Sequence, residues 1–169
     1  KLLYINVQAC EEQREHQNIV VLLDVSGSMR GNSEVTQATV ATILSKLRAR
    51  DTFSLVTYSD RDHTVVDGYQ IRDDQDKEIL MGYLMGLEID GCTYGSAGIK
   101  TAYELGAKHF HDGWSNQVML ITDGDLNFGI TDKGGLEELI EKKKKDNLFL
   151  SVIGTGLDNY KDDKLEVLS

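Results

Sequence analysis

Asp24, Ser26 and Ser28 stand at alternate positions directly after an apolar run, Ile19-Val20-Val21-Leu22-Leu23. The run reads as a buried strand. An acid and two hydroxyls at the end of such a strand are costly unless something binds there. One carboxylate with two small hydroxyls suits a hard divalent cation better than a proton-transfer step. Gly27 lacks a Cβ and lets the turn close tightly enough for both serines to face one point. Taken alone, Ser26-Gly27-Ser28 reads equally well as a strand-to-helix turn with a serine cap.

Two later segments add to this group. Gly91-Cys92-Thr93-Tyr94-Gly95 puts a hydroxyl in a glycine-flanked loop, and Val118-Met119-Leu120-Ile121-Thr122-Asp123-Gly124-Asp125 is a second apolar strand ending in an acid. Singly, Thr93 reads as a loop hydroxyl bonding backbone, and Asp123-Gly124 as a common turn pair. In chain order, Asp-x-Ser-x-Ser, then Thr, then Thr-Asp-Gly resembles the metal-ion-dependent adhesion site of von Willebrand factor A domains. The resemblance extends over nearly the whole chain. The run Asp123 to Ile130 looks most like the bacterial branch related to calcium-activated chloride-channel-like proteins.

The resemblance implies a metal site made of Asp24, Ser26, Ser28, Thr93 and Asp123. Ser26, Ser28 and Thr93 would give hydroxyl oxygens directly to the ion, with Asp24 and Asp123 acting mostly through ordered waters. Neutral hydroxyls with two outer acids leave the cation under-neutralised and one position open. A glutamate or aspartate from a protein partner fills it, so the implied function is metal-dependent protein binding or adhesion and not bond breaking. Magnesium is the first expectation, manganese should substitute, and calcium fits more loosely. The family also implies a cell-envelope or extracytoplasmic location. It often has two glycines before the threonine, and Cys92 occupies the second position here. If the backbone there needs a positive φ, cysteine would be strained.

The elements that must position these residues alternate along the chain. Strands are expected at Leu2 to Val7, Ile19 to Leu23, Thr52 to Tyr58, Val118 to Ile121 and Leu148 to Ile153, with a short antiparallel edge strand at His63 to Val66. Helices are expected from Ser33 to Leu47, through Ile79, Leu80, Tyr83, Leu84 and Leu87, through Ile99, Ala102, Tyr103, Gly106 and Phe110, through Leu136, Leu139 and Ile140, and near Lys164 to Leu168. Glu138 and Lys142, and Glu141 and Lys145, are favourable i,i+4 pairs. The alternation predicts an α/β fold, a doubly wound, mostly parallel sheet with helices on both faces. Ligands of such sheets bind at the carboxyl ends of the strands, where Asp24 and Asp123 fall. The resembled fold usually has one more strand and helix, so residues 1–169 read as a single domain excised from a longer protein.

The chain's 169 residues, 40% hydrophobic and 27% charged, allow one domain with a sizeable core. A net charge of −10 argues against nonspecific binding to nucleic acid or anionic lipid, which needs basic surface. No apolar run reaches membrane-spanning length. Cys10 and Cys92 read as two free thiols.

Other motifs are weaker. Asp123-x-Asp125-x-Asn127 opens like a calcium loop but has Phe128 and Gly134 where glycine and glutamate are needed, and Asp60-x-Asp62 has Val65 at the glycine position. Tyr94-Gly95-Ser96-Ala97-Gly98 misses the first glycine of a nucleophile elbow, and Ser96 reads as a helix cap. His109 and His111 read as surface residues, Trp114 as a packing anchor, and Lys142 to Lys145 as a solvated helix end. The competing function class is a divalent-metal hydrolase or phosphotransferase using Asp24 or Asp123. It lacks a histidine or lysine near the motif, and Ser26 stands where a phosphatase pattern would want a second acid.

Overall fold

A computed structural model of the chain describes residues 15–91, 95–123, 138, 140–142, 144 and 146–155. The expected strand at Leu2 to Val7, the C-terminal helix, both cysteines and Thr93 lie outside these residues. Among the described residues, five strands form one sheet in the order β3-β2-β1-β4-β5. They are β1 (Gln17–Asp24), β2 (Thr52–Tyr58), β3 (Asp62–Gln70), β4 (Ser115–Thr122) and β5 (Leu148–Gly154). β1 pairs in parallel with β2 and β4, β4 pairs in parallel with β5, and β3 is antiparallel to β2 at the edge. This is the mostly parallel α/β sheet that the alternation predicts. The edge strand is longer than expected, nine residues and not four, because its register is interrupted between Phe53, Leu55 and Val56 and pairing resumes beyond the break.

The strands are apolar because both faces are covered. Ile19, Val21 and Leu23 point to one face, where α1 (Ser33–Lys46) adds Val40 and Leu44, and α2 (Asp74–Met85) adds Leu80 and Leu84. Val20, Leu22, Val56, Val118 and Leu120 point to the other, where α3 (Gly95–Lys108) adds Ile99, Ala102, Tyr103 and Leu105. Residues 138, 140–142 and 144 are helical, with Ile140 packed against this second cluster. Leu47 turns out of α1 in extended backbone. On α2 the expected apolar face is only half buried. Leu80 and Leu84 are in the core, but Ile79 and Tyr83 are 44% and 51% exposed, since one face of the helix meets the sheet and their positions turn away from it.

His109 is not a free surface residue. Its Nε2 lies 2.7 Å from Asp67 Oδ1, and its ring occupies the space that a Cβ on Gly68 would need. Trp114 does act as a packing surface, in ring contact with His16 and His111.

α3 lies close to the sheet at Gly98, where an added Cβ would stand 3.0 Å from Tyr58 Cβ and 3.1 Å from Leu22 Cδ1. Tyr58 Cβ cannot swing aside, so a larger residue must lift the helix. Gly98→Ala should lower stability by about 1–3 kcal/mol in a denaturant titration. Gly31→Ala, where no atom lies within 4 Å, should be close to neutral.

Candidate functional site

Side chains alternate along a strand, so Asp24 falls on the same face as Val20 and Leu22. Tyr58 is its register partner on β2. On β4, the pairing of Leu23 with Ile121 brings Thr122 alongside. Asp24, Tyr58 and Thr122 therefore meet at the carboxyl ends of the three central strands, on the face that α3 covers. All three are buried, Asp24 to 1% exposure.

The carboxylate is surrounded by donors. The Ser26 backbone N–H donates to Asp24 Oδ1 at 2.9 Å. The hydroxyls of Tyr58 and Thr122 each donate to Oδ2 at 3.1 Å. Burial pushes the Asp24 carboxyl above its ordinary range, and the bonds from Ser26, Tyr58 and Thr122 oppose that push. Burial, with the nearby Asp24 charge, raises the Tyr58 phenol well above its usual value, so it remains a donor at neutral pH.

After Asp24 the chain enters a short 3-10 turn, Gly27–Asn32, that leads into α1. Ser26 stands at the N-cap position of this turn but makes no side-chain capping bond. Its Oγ lies 3.0 Å from Ser28 Oγ. Ser26 is buried and Ser28 exposed, so the pair runs from the core to the surface. A serine cap therefore does not account for Ser26. The two hydroxyls converge as the tight Gly27 turn predicts.

The loop that leads to Thr93 is tied to this turn by backbone bonds. Asp90 N–H donates to Val25 O at 2.9 Å, and Gly27 N–H donates to Gly91 O at 3.0 Å. Arg30 adds side-chain bonds to Ile89 O at 3.2 Å and to Asp90 Oδ1 at 2.9 Å. Gly91 has φ +95°, and a Cβ there would come within 2.9 Å of Asp60 Oδ2, so glycine is required. The adjoining Cys92 and the expected ligand Thr93 lie outside the described residues, as do Gly124 to Asn127 and the side chain of Ser96. Asp123 directly follows β4, partly exposed, and adds to the negative field at Tyr58.

Of the expected ligand set, Asp24, Ser26 and Ser28 come together in one place, and Asp123 follows at the neighbouring strand end. Tyr58 and Thr122 were not among the expected site residues. A signal was present: a tyrosine closing an otherwise buried strand needs a partner for its hydroxyl, and the adjoining strand ends in an acid.

Comparison with known proteins agrees with this architecture. Residues 18–169 match the family model of the von Willebrand factor type A domain. The uncharacterised protein YfbK of Escherichia coli (strain K12) is 30% identical over 166 residues, covering 95% of this chain and 28% of YfbK. The chain thus spans between a quarter and a third of that relative. Proximal thread matrix protein 1 from the mussel byssus, solved with a zinc-occupied MIDAS motif, superposes with a TM-score of 0.70 at 20% identity, covering 92% of this chain and 39% of that one. Manganese-loaded Plasmodium vivax TRAP protein superposes with a TM-score of 0.67 at 20% identity, covering 91% and 62%. At this identity the likeness to the solved structures is one of fold. With the family match spanning nearly all of its length, the chain belongs to the von Willebrand factor type A domain family.

Proposed function

We propose that this domain is a metal-dependent protein-binding module whose ion is held by Ser26, Ser28 and Thr93, with Asp24 and Asp123 behind it. The observation that carries this reading is the convergence of the two seryl oxygens to 3.0 Å above a buried carboxylate. At magnesium–oxygen distances of about 2.0–2.1 Å, adjacent ligands of an octahedron stand about 2.9 Å apart. Around calcium, at about 2.3–2.6 Å in a pentagonal bipyramid, neighbouring ligands of the ring stand about 2.7–3.1 Å apart, so the spacing suits either ion. The hydrogen-bonded serine pair therefore stands at the spacing of neighbouring ligands, and rotation of its hydroxyl hydrogens would turn both oxygens to a divalent ion. Magnesium is the proposed native ion, with manganese a close substitute and calcium a looser one. The manganese in the Plasmodium protein and the zinc in the mussel protein support a divalent ion on this fold.

A bound cation here would supply electrophilic attraction for an anionic oxygen. The chain's own residues set how strong that attraction is. Ser26 and Ser28 bring no charge, and Asp24 is bonded by the Ser26 amide and hydroxyl and by the hydroxyls of Tyr58 and Thr122, which spread its charge into the protein. An aspartate or glutamate of a protein partner supplies what the ion lacks, in a partly desolvated cleft where attraction exceeds that in water. The acidic net charge fits a protein partner and not nucleic acid or a membrane surface. A cell-envelope or extracytoplasmic setting and a place in the bacterial chloride-channel-like branch complete the reading. The branch rests on the run Asp123 to Ile130.

The alternative, a hydrolase or phosphotransferase, asks Asp24 or Asp123 to act as nucleophile or base. Asp24 is a poor candidate for either role, because hydroxyl and amide donors already occupy its oxygens. Generic phosphate and acyl esters should show no turnover. Metal-dependent hydrolysis that co-purifies with the chain and disappears in Asp24→Asn would favour the enzyme.

Millimolar magnesium should raise the melting temperature, since an ion that binds only the folded state stabilises it by about 2.7 kcal/mol at a hundredfold excess over Kd. Ser28→Ala and Asp123→Ala should each abolish the shift, and a shift that survives both would move the ion elsewhere. Thr93→Ala should weaken an identified partner by a few kcal/mol while changing ion-free stability little. Equal affinity for wild type and variant, with and without chelator, would show that the partner uses another face.

A further inference from the structure

We propose that Tyr58 and Thr122 set the ion preference of this site by confining Asp24 to a single available oxygen. The inference rests on the metal reading above and adds the residues that choose among ions.

A carboxylate oxygen has two in-plane lone pairs. Asp24 Oδ2 receives hydrogen bonds from the Tyr58 hydroxyl and the Thr122 hydroxyl, both at 3.1 Å, so both of its lone pairs are taken. Oδ1 receives the Ser26 N–H at 2.9 Å, and the Ser26 hydroxyl, which also bonds this carboxylate, would turn from it to an ion and leave Oδ1 the oxygen open to the site. Asp24 can therefore serve the site through Oδ1 but not through both oxygens at once. The two donors are fixed in place. Tyr58 is fully buried, with its Cβ packed beneath Gly98 of α3. Thr122 is buried in β4, and its carbonyl is held by the Thr155 N–H at 2.9 Å.

This matters because the ions differ in what they ask of a carboxylate. Calcium takes six to eight oxygens and commonly recruits both oxygens of one carboxylate. Magnesium takes six at short distance, keeps several waters and needs only one oxygen from an acid. A carboxylate with one side closed by two hydroxyls penalises the first demand and leaves the second unaffected. Tyr58 and Thr122 are positioning residues: neither is proposed to touch the ion, and each acts through Asp24.

The test is a titration of this chain with magnesium, manganese and calcium separately, by calorimetry, for wild type, Ser28→Ala, Tyr58→Phe, Thr122→Val and Thr122→Ser. Wild type should prefer magnesium and manganese, and Ser28→Ala should lose all three. Tyr58→Phe and Thr122→Val each free a lone pair on Oδ2, so the ratio of the calcium Kd to the magnesium Kd should fall by at least about tenfold, the scale of one lost hydrogen bond to a charged group. Thr122→Ser keeps its hydroxyl and should keep the wild-type ratio. A hydroxyl that merely stabilised the fold would lower the ion-free melting temperature and weaken every ion by the same factor. That result, with Ser28→Ala still inactive, would overturn this proposal and leave the metal site standing. Failure of wild type to bind any of the ions would remove both. Should Tyr58→Phe not fold, the Thr122 pair decides: an unchanged ratio in Thr122→Val overturns the proposal, and a fall restored by serine supports it.

Discussion

Everything at the carboxyl edge of this sheet is arranged around one ionisable group that has been taken out of water. Moving a carboxylate into a protein interior costs several kcal/mol unless donors replace the lost solvent. Asp24 sits at the end of the central strand, between two parallel neighbours and beneath a helix, and replaces water with the Ser26 amide and the hydroxyls of Ser26, Tyr58 and Thr122. The donors belong to three segments: the turn after β1, the end of β2 and the end of β4. The burial of one acid thus holds three strand ends in a common position.

The scaffold around it follows from the same constraint. Parallel pairing on both sides of β1 puts the ends of β2 and β4 level with Asp24. α3 closes the top because Gly98 lets it approach Tyr58 and Leu22. The loop before Thr93 comes to the 3-10 turn through main-chain bonds, so its position does not depend on any one side chain. The Arg30–Asp90 pair lies outside this framework, with both side chains well exposed, and adds little to stability.

Much of this was legible in the residues. Continuous apolar runs ending in acids gave β1 and β4 their place in the centre of the sheet, and Thr52 to Tyr58 forms the strand its composition predicts. The convergence of Ser26 and Ser28 followed from a glycine between two hydroxyls. The Tyr58 and Thr122 contribution did not, because it depends on register: which residue lies beside Asp24 is decided by strand pairing across 34 and 98 residues. The burial pattern of α2 was also hidden, since periodicity identifies an apolar stripe but not how much of it the sheet will cover. The length of β3 depended on a break in pairing at Asp67-Gly68, where a glycine at φ +63° inside the strand is the local mark of a bulge and the expected four-residue strand stopped short of it.

The reach of these contacts along the chain has a kinetic meaning. The bond from Thr122 to Asp24 closes a separation of 98 residues, and the amide of Gly27 pairs with a carbonyl 64 positions away. Contacts of such long separation form only after large loops have lost their entropy, which places them late in the folding of a parallel sheet. The donor cage of Asp24 therefore cannot exist in a local fragment or a half-built sheet. Whatever binds at this edge reads the completed topology of the domain, and nascent chains or proteolytic pieces present no partial version of it.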